Sequence, residues 1–349
     1  MAVRVGVIGA GAYAQRAHLP SLGKHPDVEL RAVCRRNPDR LTEVAETFGI
    51  PNTYASYSDL IQNEALDAVT ISLPHHLHYQ AVGEALERGL HVLVDKPMAL
   101  RLDHAEELVE LGSRLGLVLM VAFNRRYEPP FVKARELVND GLLGDLRLID
   151  AHMAYDWDLW SKSSETRFTG AAAKMLDGVS KTQAALLSET TFRSDPSSNG
   201  GGFFADGGPH AVDACLWLAG SRATSVFAQM DSSTDDLYTT LTMRLESGVI
   251  CSLVCVGDSP VPRDFGFHIY GETGAIHMRW NELVLERELH DRTSFNNASM
   301  ASPDSPTANF IDTIMGRAKP VVTAQDGLNQ VAVTEAAYRS TQSSTPIEC

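Results

Sequence analysis

Short apolar runs alternate with amphipathic stretches over the first third of the chain. These runs predict strands at Val3–Ile8, Val28–Cys34, Ala68–Leu73, Val92–Val94 and Leu117–Ala122, with helices between them at Tyr13–Leu22, Arg40–Phe48, Leu77–Arg88 and His104–Leu115. The strands are short and do not alternate apolar with polar positions, which is typical of parallel strands covered on both faces. Repeated β-α units of this kind predict a doubly wound, parallel α/β sheet of the Rossmann type.

The pattern changes after residue 122. Helices are predicted at Pro130–Asp140 and 209–219, and strands at Leu146–Tyr155, 223–231, 237–246, 249–257, 265–271 and near 275–288. Short turns such as Glu246-Ser247-Gly248 join consecutive strands and favour antiparallel pairing. We therefore predict a Rossmann domain at 1–122 and an α+β domain with a large, mostly antiparallel sheet at 123–349. Residues 293–306 are predicted to form a mobile polar loop, followed by two helices that pack back on the first domain.

Composition limits the classes of function. The chain has 349 residues, of which 44% are hydrophobic and 21% charged, as in ordinary globular proteins. A net charge of -14 argues against binding to nucleic acid or to an anionic membrane surface. No apolar run approaches the roughly 20 residues of a membrane span. The amino terminus has no signal-peptide pattern, and the five cysteines are scattered, so we expect a cytoplasmic protein in a reducing compartment.

The first strand is followed by a glycine-rich turn, which reads Gly9-Ala10-Gly11-Ala12-Tyr13-Ala14. Glycines in such a strand-turn-helix setting allow a tight turn and the close approach of a pyrophosphate to the helix start. The sequence therefore predicts a dinucleotide site in which Gly9, Gly11, Ala12 and Tyr13 contact the cofactor.

The second strand ends without the acidic residue that an NAD site usually places there for the ribose hydroxyls. Arg35 and Arg36 occupy this position, and their guanidinium groups suit a 2′-phosphate. Alternatively, these arginines are solvated or one of them stacks on the adenine of NAD. We expect NADP in preference to NAD.

Further polar residues follow the later strands, at the sheet edge where ligands of such folds bind. The expected cofactor contacts are Leu73, Pro74, His75, His78, Asp95, Lys96, Pro97, Asn124 and Arg125. A lysine in this place can hold the nicotinamide ribose and polarise a substrate oxygen, although it could also be a surface lysine. The histidines invite a metal interpretation, but nothing nearby completes a zinc site, and no metal is expected.

The segment GGGFFADGGPHAVD contains a second group of candidate residues. Pro209 suits the first position of a helix, which would place His210 in the first turn, where the helix dipole disfavours the imidazolium form. A neutral imidazole can accept a proton. Asp213 shares the face of His210, and Asp206 comes from the preceding loop. The alternative is an aspartate that caps the helix beside a packed histidine.

Together, the segments GAGAYA, LPHHLH, DKP, FNRRYEP, GDLRLI and GGGFFADGGPHAVD resemble the glucose-fructose oxidoreductase/inositol dehydrogenase/rhizopine-catabolism (Gfo/Idh/MocA) family. The resemblance implies that Lys96 contacts nicotinamide and substrate. It also implies that Asp206 and His210 line the substrate pocket, with His210 as the acid or base.

The chain departs from this family pattern in two places. Asp95 replaces the commoner glutamate, a change that keeps the acidic group. Residues 161–192 form an insertion with a helix-like stretch, which could be a lid, a subunit contact or a specificity element. The expected pocket residues around it are Tyr155, Trp157, Trp160, Arg193 and Asp213.

The resulting expectation is an NAD(P)-dependent oxidoreductase acting on a secondary alcohol or ketone of a sugar or cyclic polyol, assembled as a homodimer or homotetramer. Two alternatives remain. A redox-assisted glycosidase with tightly bound NAD would use the same residues. A nonenzymatic nucleotide or sugar sensor would keep the fold, but retention of Lys96, Asp206 and His210 together argues against it.

Overall fold

The computed structural model describes residues 2–157, 161, 192–279, 282–287, 291–301 and 304–349. These residues form two compact units. The first consists mainly of Met1–Ala122 and Asp304–Leu328, and also takes in Phe192. The second consists of Phe123–Ser161, Arg193–Pro303 and Asn329–Cys349. Trp160 and the helix-like part of the insertion lie outside the described residues.

A six-stranded parallel sheet forms the first unit, in the order β3-β2-β1-β4-β5-β6. Its strands are β1 Val3–Ile8, β2 Val28–Cys34, β3 Asn52–Tyr54, β4 Ala68–Ile71, β5 His91–Val94 and β6 Leu119–Val121. The helices are α1 Ala12–Arg16, α2 His18–Lys24, α3 Pro38–Phe48, α4 Tyr57–Asn63, α5 His78–Glu87 and α6 Leu102–Leu115. This order reverses between β1 and β4, as in dinucleotide-binding folds, and confirms the predicted Rossmann-type sheet.

The elements of this unit differ from the prediction in two ways. The helix expected at Tyr13–Leu22 is divided into α1 and α2, which meet at Ala17. The strand β3 and the helix α4 were not predicted, because three and seven residues are too few to produce a clear periodicity.

A nine-stranded sheet forms the second unit, in the order β14-β13-β12-β11-β7-β10-β9-β8-β15. Only β7 and β10 pair in parallel; the other described pairs are antiparallel, as predicted. The strands are β7 Leu146–Asp156, β8 Ala223–Met230, β9 Tyr238–Leu245, β10 Ile250–Val256, β11 Asp258–Gly271, β12 Gly274–Arg279, β13 Glu282–Arg287, β14 Asp291–Asn296 and β15 Ile347–Glu348.

The remaining helices are α7 Pro129–Asn139, α8 Pro196–Asn199, α9 Phe203–Ala219, α10 Pro306–Ile314 and α11 Ala324–Ser343. The helix α9 packs on β7, β10 and α7, and buries Phe203, Phe204 and Cys215 in the core of the second unit. No helix in the described ranges is long and apolar enough to cross a membrane.

Two predictions for the second unit were wrong. Helix α9 begins at Phe203 and not at Pro209, which lies inside it. His210 is therefore in the second turn and outside the range in which the helix dipole acts strongly. The segment 293–306 is not simply a loop: β14 includes its first residues, and α10 begins at Pro306. Residues 302–303 lie outside the described part.

Candidate functional site

The glycine turn of the first unit is tight and leaves open space beside Gly11. Gly9 has a φ of +86°, and a Cβ there would overlap the carbonyl oxygen of Ser72. A Cβ on Gly11 would meet no atom within 4 Å, so open space lies in front of this residue. The backbone N–H groups of Gly9 and Ala10 donate to the carbonyl of Cys34, at 3.0 and 3.1 Å. These observations fit a dinucleotide.

Arg35 lies next to this turn. Its Nη1 donates to the carbonyl oxygen of Ala10 at 2.6 Å, which holds the guanidinium beside the expected adenosine end of the site. Arg36, one residue further, is exposed. Both cations are thus at the end of β2, where the sequence predicted a contact with a 2′-phosphate.

Asp95 is the centre of a partly buried network directly before Lys96. Its carboxylate accepts hydrogen bonds from Ser72 Oγ and from His18 Nε2, the latter at 2.9 Å. His18 Nδ1 lies 2.8 Å from Thr307 Oγ1. Burial acts to raise the pKa of Asp95, but the charge and hydrogen bond of His18 and the hydrogen bond of Ser72 outweigh it and lower that pKa. The network fixes the main chain from which the half-buried Lys96 projects.

Neither His18 nor Ser72 was predicted to belong to the site. The only feature of the sequence that could have pointed to His18 was its position in a helix soon after the glycine turn. That position becomes informative only when the fold brings the ends of β1 and β5 to the same sheet edge.

His78 joins two loops of the expected cofactor edge. Its Nδ1 lies 2.7 Å from the carbonyl of Pro97 and its Nε2 2.8 Å from that of Leu73. Burial lowers the pKa of His78. His75 is also buried and packs its ring on Phe192, with the ring centroids 4.8 Å apart. Within the described ranges no group of three or more histidine, cysteine or acidic residues could hold a metal ion.

The second unit presents Asp206 and His210 on one face of α9. They are four residues apart, and each is partly exposed, whereas the neighbouring residues of the helix are buried. Arg193 Nε lies 3.2 Å from Asp206 Oδ2. The structure thus brings together three partly exposed residues that the sequence predicted for the pocket, two of them on one face of a helix.

Three other predicted site residues, the pocket residues Asp213 and Tyr155 and the cofactor contact Arg125, have contacts inside the second unit. Asp213 is buried, and its two oxygens accept hydrogen bonds from Arg126 Nε and Nη2 at 3.0 and 2.6 Å. Arg125 is buried too; it donates to Tyr155 Oη at 3.1 Å and pairs with Glu128 at 2.6 Å. These contacts give Asp213, Arg125 and Tyr155 structural roles, and their contacts with ligands stay predictions.

Trp157 was predicted for the substrate pocket and Asn124 for the cofactor site. Trp157 is buried and packs on Phe203, with the ring centroids 5.6 Å apart. Asn124 Oδ1 is buried, and no described residue hydrogen-bonds to it. A buried amide oxygen in this state fits a ligand that donates a hydrogen bond.

Comparison with known proteins identifies the family. Residues 3–123 match the family model described as an oxidoreductase family with an NAD-binding Rossmann fold, and residues 131–277 match the GFO/IDH/MocA C-terminal domain. The chain belongs to the GFO/IDH/MocA oxidoreductase family. Its resemblance to that family, read from the sequence motifs, is thus confirmed.

Several known proteins are similar to this chain over its whole length or over part of it. D-glucoside 3-dehydrogenase of Escherichia coli is 23% identical over 99% of this chain and 97% of its own length. A dTDP-3,4-didehydro-2,6-dideoxy-α-D-glucose 3-reductase of Streptomyces antibioticus is 36% identical, but over only 43% of this chain and 45% of its own. The solved structure of levoglucosan dehydrogenase in complex with NADH and levoglucosan has a TM-score of 0.84 at 18% identity, over 100% of this chain and 99% of that one.

As a GFO/IDH/MocA protein the chain is an oxidoreductase with an NAD-binding Rossmann fold. The comparisons support this class over the glycosidase and the sensor that the sequence left open. At 18% identity, the structural likeness to levoglucosan dehydrogenase shows the fold alone.

Proposed function

We propose that this oxidoreductase interconverts a secondary alcohol and a ketone on a sugar or cyclic polyol. The observation that carries the proposal is the accessible pair of Asp206 and His210 on one face of α9, with Arg193 beside the carboxylate. The two curated relatives and the solved structure are all named for sugar derivatives, which supports the substrate class. The bound dinucleotide would accept or donate the hydride.

Proton transfer, stabilisation of the developing charge and binding of the substrate hydroxyls are proposed for different residues of this chain. In the oxidative direction His210 accepts the hydroxyl proton, and in the reductive direction it returns that proton. The ammonium group of Lys96 stabilises the negative charge that develops on the substrate oxygen. Asp206, held by Arg193, accepts hydrogen bonds from neighbouring hydroxyls or orients His210. Tyr155, Trp157, Trp160 and Asp213 remain proposed contributors to the pocket.

Cofactor binding is proposed for the residues at the edge of the parallel sheet. Gly9, Gly11, Ala12 and Tyr13 would receive the pyrophosphate, and Arg35 and Arg36 the adenosine end. The nicotinamide end would lie near Lys96 and the loops that carry Leu73, Pro74, His75, His78, Asp95, Pro97, Asn124 and Arg125.

A substrate panel tests the proposed function. Purified protein is assayed with NADP and NAD against D-glucose, methyl glucosides, levoglucosan and myo-inositol, and with NADPH and NADH against keto-sugars. We expect reduced cofactor to form in a one-to-one ratio with oxidised sugar. Cleavage of a methyl glucoside without net change in the cofactor would instead indicate a redox-assisted glycosidase, and binding of ligands without turnover a sensor.

We propose NADP as the preferred cofactor, because two guanidinium groups and no carboxylate follow β2. Replacing both Arg35 and Arg36 with Ala should weaken NADP(H) far more than NAD(H), since each charge-assisted contact contributes about 1.5–3 kcal/mol. Titration calorimetry with both cofactors measures the difference. Arg31→Ala is the matched control, because Arg31 lies on the same strand but pairs with Glu29. An unchanged ratio of the two affinities would contradict the assignment.

We propose that a second copy of the chain covers the open face of the nine-stranded sheet, in a homodimer or homotetramer. Tyr238, Ile250, Val254 and Tyr270 are exposed there, each by 37–45%, and large apolar patches are rare on monomers. Val254→Lys should therefore lower the mass measured by light scattering. Leu115→Lys, a change at an apolar residue of the first unit that is 45% exposed, should not. A wild-type monomer at micromolar concentration would refute the proposal.

A further inference from the structure

The N-cap residue of α9, the helix that carries Asp206 and His210, is a glycine and has no side chain that could cap the helix. This residue is Gly202, and the side chain that caps the helix comes from Asp236, in the loop between β8 and β9. Asp236 Oδ1 accepts from the N–H of Gly202 at 3.2 Å, and Oδ2 from the N–H of Phe204 at 2.8 Å. The carbonyl of Asp236 accepts from the N–H of Phe203 at 2.7 Å. One residue thus satisfies three successive N–H groups at the helix start.

Two hydroxyl groups also donate hydrogen bonds to this carboxylate. Tyr338 Oη donates to Oδ1 at 2.6 Å, and Thr239 Oγ1 donates to Oδ2 at 3.2 Å. Asp236, Thr239 and Tyr338 are called the Asp236 cluster below. Each carboxylate oxygen of Asp236 therefore accepts two hydrogen bonds, whereas the NH2 group of an asparagine in its place could accept none. Burial raises the pKa of Asp236, and the hydrogen bonds from Tyr338 and from the backbone N–H of Phe204 counteract this rise.

The glycines before α9 are shaped by this cluster. Gly201 has a φ of +145°, and a Cβ on it would overlap the hydroxyl of Tyr338. A Cβ on Gly202 would overlap the backbone of Asp236. Asn199 Nδ2 donates to the carbonyls of Gly201 and Gly202, at 2.8 and 2.9 Å, and fixes the other side of the segment. Glycine is thus required at Gly201 and Gly202 for close contact with the Asp236 cluster, in addition to any role at a ligand.

We infer that Asp236 and Tyr338 are positioning residues of the proposed active site: through hydrogen bonds to the first turn of α9, they set where Asp206 and His210 lie. Asp206 is only two residues beyond Phe204 in the same turn, and His210 follows about 9 Å further along the axis than Phe204. A displacement of 1 Å at a reacting group can cost about 100-fold in rate. The inference rests on the proposed function for the roles of Asp206 and His210.

Tyr338→Phe is the deciding variant, because it removes one hydroxyl and keeps the ring that packs near Phe204. Ser340→Ala is its matched control. Ser340 is fully buried on the same helix and hydrogen-bonds to Ala228 and Thr345, but it does not contact α9 through these bonds. Both variants lose a buried hydroxyl, so a comparable fall in melting temperature is expected for both.

The two variants should differ in catalysis. We expect kcat on the best substrate of the panel to fall about 10-fold or more in Tyr338→Phe and to stay near the wild-type value in Ser340→Ala, with cofactor Kd unchanged in both. In Asp236→Asn we expect kcat to fall further, because the amide NH2 that replaces one carboxylate oxygen would face two hydrogen-bond donors. Should Asp236→Asn fail to fold, Tyr338→Phe still decides.

A readout without substrate separates this inference from the proposed function. The NMR resonance of the His210 ring, assigned by its loss in His210→Asn, is titrated with pH in each variant. We expect its titration to change in Tyr338→Phe and not in Ser340→Ala. Equal kcat and equal titration in the two variants would overturn the inference. If His210→Asn itself keeps full turnover, His210 is not the acid or base of the proposed function, and the titration alone then decides on positioning.

Discussion

His210→Asn should lower kcat by about 10²–10⁴-fold, the usual contribution of a general acid or base, while the melting temperature stays close to that of the wild type. The physical reason is that His210 is a partly exposed residue of α9 rather than a core residue, so the helix needs it little for packing. Both quantities should be measured on the same preparation, with kcat followed from pH 5 to pH 9. The rise in activity with pH that a base produces should disappear.

Lys96→Met, tested beside it, should also abolish most turnover while cofactor affinity remains. His152→Asn is the control, since His152 is a partly exposed histidine on β7 that pairs with Asp264. A His210→Asn variant that is unstable yet turns over normally when folded would show that Asp206 or Lys96 is the base. The alternative of a packed histidine would then be correct.

Asp213→Asn should destabilise the second unit by about 3–5 kcal/mol, because it removes the carboxylate charge that faces the buried guanidinium of Arg126. Both side chains are at most 4% exposed, and the two hydrogen bonds between them are bidentate. Arg126 also lies 5.5 Å from the ring centroid of Trp217. The change in the urea midpoint of unfolding, followed by Trp fluorescence, measures this effect.

An exposed ion pair of the same unit provides the control. Arg222 and Glu246 are both 60% exposed, and Glu246→Gln should change stability by about 1 kcal/mol or less. The double variant Arg126→Met/Asp213→Leu should lose less than the sum of the two single changes, since no lone charge remains buried. If Asp213→Asn is stable but raises KM, Asp213 binds substrate as the sequence predicted.

The parallel sheet could be predicted because its signals are local. Apolar runs such as Val3–Ile8 and Val28–Cys34 have the bounds of the strands, and the glycine turn lies where one strand ends and a helix begins. The position of Lys96 at the end of β5 follows from the same reasoning. The pattern could not show which residues hydrogen-bond to Asp95 at that sheet edge. One of them is His18, which is 77 residues from Asp95 in sequence.

The start of α9 illustrates the opposite case. A proline followed by an apolar run is a valid signal for the first turn of a helix, and Pro209 was interpreted in that way. The helix begins six residues earlier because Asp236 caps it from more than thirty residues away in sequence. Capping by a distant residue has no signature in a short stretch of sequence. The predicted helix start and the predicted location of His210 within the helix were therefore both wrong.

The two ends of the nine-stranded sheet constrain how copies of this chain can associate. At one end, β14 consists of Asp291–Asn296, whose side chains are nearly all exposed and polar or charged; at the other, β15 has only two residues. Short or charged edge strands discourage a neighbouring chain from adding its own strand. Association should therefore occur by stacking of one sheet face on another, about 10 Å apart, rather than by growth of a continuous sheet. A finite assembly is the expected outcome, and open-ended fibres are not.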